Sequence, residues 1–205
     1  SLGGKSELTE STNIGFEIAL SNNDINTFSK LDADNNTGFA MRFDISQLIL
    51  KRNKNTISSS AFFETTGKNF ESIENYRSQE FKRDWNLASI YPENNEYLTG
   101  LNLAFKNTDL GHAEYRFNFM NRESQYQGLK NTFSSGLGIG KWRVLANASL
   151  LNSEDPYNFT RFLRHNARLE RDLGIFVIGL AELQEYNLWT NQGGDSIRQN
   201  SFNFN

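Results

Sequence analysis

The chain has no cysteine, two prolines, two histidines and no apolar run long enough to form a membrane-crossing helix. Without cysteine there is neither a disulfide scaffold nor a thiolate metal site. His112 and His165 leave little material for histidine catalysis or zinc binding. No stretch approaches the roughly 18 apolar residues that a transmembrane helix requires. The opening SLGGKSELTESTN has no charged region followed by an apolar one, so no signal peptide is legible. A formal charge of −3 supplies no cationic surplus for phosphates, which argues against a nucleic-acid partner. A nucleophile elbow, a P-loop and a G-x-G-x-x-G before a helix are also missing. The reading is therefore non-enzymatic, with no catalytic residues and no cofactor expected.

What the chain does contain is aromatic and polar together. Among 205 residues there are 17 Phe, 7 Tyr and 3 Trp, too many aromatics for a solvated, disordered chain. Yet mean hydropathy is −0.61, and Asn makes up about an eighth of the sequence. Alternation reconciles the two, because a strand sends successive side chains to opposite faces. Ile14, Phe16, Ile18 and Leu20 oppose Gly15, Glu17, Ala19 and Ser21. Phe39, Met41, Phe43 and Ile45 oppose Ala40, Arg42, Asp44 and Ser46. The pattern returns at 97–106, 113–119 and 141–151, separated by Asn, Asp, Ser and Gly clusters suited to turns. Glycine opens several of these segments, at Gly15, Gly38, Gly100, Gly136 and Gly174, as a bending sheet requires. The expected fold is all-β, an antiparallel meander of about eight to ten strands forming a curved extended sheet or a barrel.

Three stretches depart from this rhythm. Residues 1–12 read as a flexible start to a single β-sheet domain spanning 1–205. The charged segment 66–96 is too long for a hairpin turn, and it reads as irregular edge strands somewhat better than as a dedicated binding loop. Residues 155–174 fit either a helix, begun by Asp155-Pro156, or a strand. The strand is preferred because Ile175–Tyr186 resembles its hairpin partner. Ser201–Asn205 alternates like the opening of another strand, which suggests a piece of a longer chain.

Candidate sites are few. Asp32, Asp34 and Asn36 have the alternate spacing of a calcium loop, but the glycine comes one position late and Phe43 replaces the twelfth-position Glu. A polar hairpin turn explains them as well, so calcium is the one cofactor worth testing. Glu182 and Glu185 lie three apart, on opposite faces of a strand, and cannot converge on one substrate there. Arg161, Arg164, Arg168 and Arg171 form the candidate interaction set. They read as rungs of charge ladders on a polar sheet face, with a charged groove or lumen as the functional alternative.

The succession from Tyr76 to Asn86 (YRSQEFKRDWN), with Ala113-Glu114-Tyr115-Arg116-Phe117, Ser124-Gln125-Tyr126-Gln127-Gly128 and Phe162-Leu163-Arg164, resembles large strand-rich cell-envelope proteins of Bacteroidota. The composition is also similar to that of outer-membrane β-barrels. The resemblance implies a location in the cell envelope, outer membrane or surface of a Gram-negative bacterium, and assigns no catalytic residues. It implies a structural or interaction module partnered by other domains of the same protein or by envelope proteins. The alternatives are a transmembrane barrel segment with a charged lumen, or a small soluble barrel holding an apolar ligand. Membrane contact stays open, and no small-molecule substrate is legible.

Overall fold

A computed structural model describes residues 1–23, 36–72, 77–87 and 94–205. Among them the chain forms eleven strands. The first six are β1 (Leu2–Thr9), β2 (Thr12–Asn22), β3 (Thr37–Arg52), β4 (Asn55–Thr66), β5 (Glu96–Asn107) and β6 (Gly111–Arg122). The others are β7 (Tyr126–Ile139), β8 (Trp142–Glu154), β9 (Asn158–Asp172), β10 (Val177–Asn191) and β11 (Ser196–Phe204). One short helix, α1 (Phe81–Asp84), lies between β4 and β5. The sheet order follows the chain from β1 to β11, and every neighbouring pair is antiparallel. The edge strands β1 and β11 are not paired with each other, so the meander is open rather than closed into a barrel.

The alternation carries straight into the register, since directly paired residues share a face. Ile14 meets Ile45, Phe16 meets Phe43 and Leu20 meets Phe39. The same row logic joins Phe43 to Phe63, Leu101 to Phe117 and Tyr115 to Phe133. These residues define an apolar face. Glu17, Arg42 and Glu64 sit on the opposite, polar face, as do Asn102, Arg116 and Arg164. One irregularity, between Leu48 and Leu50 in β3, lets that strand keep its pairing while shifting by one residue.

The connections fall into two unlike sets. At one end the strands turn through residues 10–11, 53–54, 108–110, 140–141 and 173–176. A representative turn is built by Asn107, whose Oδ1 accepts the backbone N–H groups of Asp109 and Leu110, both at 2.8 Å. The other end carries 123–125, 155–157 and 192–195, and also the two long connections 23–36 and 67–95.

Several expectations need correcting. The strand count is eleven rather than eight to ten. Residues 1–12 are not a loose start, because Leu2–Thr9 pairs along β2. The described residues of 66–96 that follow β4 hold no strand until β5 and instead build a strap around α1. The 155–174 segment holds a strand, β9, as preferred, and its hairpin partner β10 begins at Val177. Extended backbone wins there because Leu163 and Leu169 meet Leu150 and Val144 of β8 on one side and Tyr186 and Leu180 of β10 on the other.

Burial is lopsided. The buried apolar side chains among the described residues form one cluster: Trp85, Leu87, Leu98, Met120, Tyr126 and Leu151. The four sheet members all lie on the polar face, with Phe62 and Phe162 packed against them. Trp85 and Leu87 come from the strap. The strap therefore covers the polar face near the long-connection end. Among the described residues nothing covers the apolar face in this way, and Phe16, Phe43, Leu101, Leu103, Phe133 and Trp142 all stand exposed on it.

Candidate functional site

The site that the fold builds is the polar face beneath and beside the strap. Its base is a line of alternating charges crossing four strands. Arg42 of β3 lies opposite Glu64 of β4 and its Nη1 donates to Oε2 at 2.9 Å. Arg77 of the strap places Nη2 2.6 Å from Glu64 Oε1 and also contacts Glu96 of β5. Arg122 of β6 completes the line, with Nη2 2.6 Å and Nε 2.8 Å from Glu96 Oε2. Both carboxylates are largely withdrawn from solvent, and the guanidinia take the place of the water they have lost. Arginine suits the task because its planar fork serves two carboxylates at once. The Arg42 and Arg77 guanidinia also lie over the Phe62 and Phe81 rings, at 4.6 and 4.2 Å from the centroids.

The strap's second attachment is apolar. Trp85 is 4% exposed and Met120 beneath it is fully buried. The Tyr126 hydroxyl donates to the Trp85 carbonyl. Asp84, at the end of α1, receives Lys130 of β7 at 3.2 Å, and Asn86 Nδ2 donates to Thr160 Oγ1 of β9 at 3.3 Å. In the other direction, Glu71 N donates to Ser21 Oγ of β2 at 3.1 Å. The strap thus touches the polar face from β2 to β9. Two glycines make room for close contact. A Cβ at Gly38 would overlap the strap backbone at Asn69 and Phe70, and one at Gly100 would overlap the Phe62 ring.

A cleft of about 190 Å³ opens beside the strap where Phe70 and Ser72 approach Glu17, Arg42 and Glu64. A second, of about 270 Å³, lies between α1 and strands β9 and β10.

No protein-family model, curated protein or solved structure matches this chain.

The candidate arginines separate. Arg164 and Arg168 lie on the polar face, where Arg164 pairs with Glu185 at 3.4 Å and Arg168 with Glu170 at 2.7 Å. Glu170 also receives Arg143 from β8 at 3.3 Å, which makes a ladder across two strands. Arg161 and Arg171 lie on the apolar face, near opposite ends of β9. Arg171 sits over the Trp142 ring at 4.9 Å and Arg161 over Phe159 at 5.9 Å. Glu182 and Glu185 take opposite faces: Glu182 pairs with Ala167, and Glu185 with Arg164.

Of the calcium-loop residues, Asp32 and Asp34 lie outside the described residues. Asn36 is described, and its carbonyl accepts the N–H of Asn23 at 2.8 Å. Among the described residues no group of three or more His, Asp or Glu side chains converges to hold a metal ion.

The sequence reading missed the line from Arg42 to Arg122. A signal was present, since Glu64 and Glu96 are acidic residues on the two strands that flank the long excursion. The apolar face holds a surprise too: His165 and Gln184 are 2.8 Å apart, Gln184 Nε2 donates to Asn200 Oδ1 at 3.2 Å, and Glu182 stands 3.8 Å from His165.

Proposed function

We propose that the chain is a section of the wall of a transmembrane β-barrel in a bacterial cell envelope. Its apolar face meets lipid and its polar face lines a lumen narrowed by the strap. The observation that carries this reading is which face the strap covers. In water, an excursion as long as 67–95 would be expected to shield the exposed Phe and Leu rows, because that burial is the main favourable term available. Its described residues fold onto the charged face instead, and the Phe and Leu rows of the apolar face stay exposed. Lipid supplies the missing cover, and it makes the same demand on every second residue as a protein core.

Two further features support it. Short turns at one end and the long connections at the other are the usual asymmetry of outer-membrane barrels. On β9 the apolar-face residues Arg161 and Arg171 bracket Leu163, His165, Ala167 and Leu169. At about 3.3 Å per residue and a tilt near 40°, that interval spans roughly 25 Å of membrane. Guanidinia at its two ends can reach the headgroups, and the Trp142–Arg171 pair fits an interfacial anchor.

The test uses the three tryptophans, which sit in three different environments. In single-tryptophan variants folded into vesicles with brominated acyl chains, Trp142 is quenched, whereas Trp85 and Trp189 are not. A protein that stays monodisperse without detergent and shows no quenching of Trp142 would sink the proposal.

A second reading applies to β9–β11. The His165, Glu182, Gln184 and Asn200 cluster is polar and lies on the apolar face. There a neighbouring envelope domain, rather than lipid, is the better cover, because polar groups in hydrocarbon are costly. Cross-linking from a cysteine placed at Glu182 distinguishes a protein neighbour from lipid.

A further inference from the structure

The pocket between α1 and strands β9 and β10 combines aromatic, amide and cationic side chains. Its aromatic wall is Trp189 of β10 with Phe162 of β9, rings 5.1 Å apart and edge-to-face. Its amides are Asn86 of the strap, whose Nδ2 donates to Thr160, and Asn187 of β10, whose Oδ1 is buried without a hydrogen-bond partner among the described residues. Its cations are Lys82 and Arg83 of α1 and Arg164 of β9.

The charge is not balanced. Arg83 pairs with Glu80 at 2.8 Å and Arg164 with Glu185 at 3.4 Å. Asp84, the remaining acid of α1, is engaged by Lys130. Lys82 has no ion-pair partner among the described residues, so among those residues the pocket carries one positive charge more than its neighbours neutralise. A ligand that complements it has one negative charge, a flat apolar face for Trp189 and hydroxyls for the amides. A volume of about 270 Å³ suits a single ring.

We propose that this pocket is a binding subsite for one sugar-acid residue, a hexuronate. The apolar face of its ring stacks on Trp189 and its carboxylate lies against Lys82, while Arg164 stays paired with Glu185. Tryptophan offers a broad apolar surface at low entropic cost, and the charge-assisted contacts orient the ring. Phe162 and the T-shaped contact hold the indole in place. The site faces away from the apolar surface, so the inference does not depend on what covers that surface.

Isothermal titration of the full chain with galacturonate, galactose and inorganic phosphate tests the assignment. Galacturonate binds one-to-one and saturably, and galactose binds about tenfold more weakly or less because it lacks the charge. Lys82→Met lowers galacturonate affinity about tenfold and leaves galactose unchanged. Trp189→Leu removes saturable binding of both sugars. Lys82 is exposed and has no packing role, so its variant reports on binding rather than on folding. Absence of saturable galacturonate binding overturns the proposal, as does equal affinity for galactose or unchanged affinity in Lys82→Met. Inorganic phosphate displacing galacturonate at equal concentration would reduce the pocket to a general anion site and overturn the sugar assignment.

Discussion

Arg77 and Glu64 lie 2.6 Å apart and join the strap to the sheet near the end of β4. Because the same guanidinium also reaches Glu96, one side chain holds two largely buried carboxylates. Replacing it with methionine leaves both acids short of a partner. Arg77→Met should loosen the strap by roughly 2–3 kcal/mol, somewhat below the cost of a fully buried broken pair because Arg77 retains some exposure. Limited proteolysis checks this: cleavage within 67–95 accelerates while the strands remain protected. Arg77→Lys keeps the charge but not the fork, and gives an intermediate rate.

Trp85 is the strap's apolar anchor, over Met120 and Leu98. Trp85→Ala should cost about 3–5 kcal/mol of strap docking, through lost burial and the cavity left behind. Hydrogen exchange would place the loss in 77–87 and adjacent β6 and β7 amides. Uniformly faster exchange throughout the sheet would contradict a local anchor.

Gly100 gives way to the Phe62 ring. Gly100→Ala should destabilise by about 1–3 kcal/mol, because the ring and the Asn118 amide must both move. The part of that cost due to the ring should vanish in a Phe62→Ala background, and a double-mutant cycle of denaturant midpoints measures the coupling at about 1 kcal/mol. Additivity would mean that the ring is not what fills the glycine's space.

The apolar face offers the sharpest contrast. Leu101 stands 51% exposed in the middle of β5. Leu101→Arg should disfavour folding into vesicles by about 2–4 kcal/mol if the row crosses lipid. Asn147→Arg, on the polar face of β8, should change stability by no more than about 1 kcal/mol. Two similarly small effects would place both faces in water.

The ladder on β8 and β9 should matter less than the line from Arg42 to Arg122. Glu170 links Arg143 and Arg168, both well exposed. Glu170 itself is largely withdrawn from solvent while its partners are not, so Glu170→Gln is expected to cost about 1 kcal/mol, and raising the salt concentration should reduce the difference in melting temperature.

The sheet was legible in the sequence because alternation is a local rule. Each of Phe39, Met41, Phe43 and Ile45 announces its face through the residues beside it, and register then follows from matching apolar rows. The same rule separates Arg161 and Arg171 from Arg164 and Arg168, although helical spacing groups all four together. The strap was not legible for the opposite reason. Arg77 finds Glu64 and Glu96, and Trp85 finds Tyr126 and Met120, across separations where no short-range pattern survives. Lys82 and Trp189 are further apart still, and only the fold of the strap across the face brings them to one pocket. Edge closure was out of reach for a similar reason, because alternation says what each strand shows its two faces but nothing about which strands are neighbours at the ends of the order.

The odd number of strands has a geometric consequence. In a strictly up-and-down order, β1 and β11 point in the same direction, both leading from the end that carries the long connections toward the end with the short turns. Joining those two edges directly would create a parallel seam in an otherwise antiparallel cylinder. Two copies meeting edge to edge could pair antiparallel, but only with their long-connection ends pointing to opposite sides. A closed wall with one inside, one outside and no parallel seam therefore needs an odd number of further strands between β11 and β1.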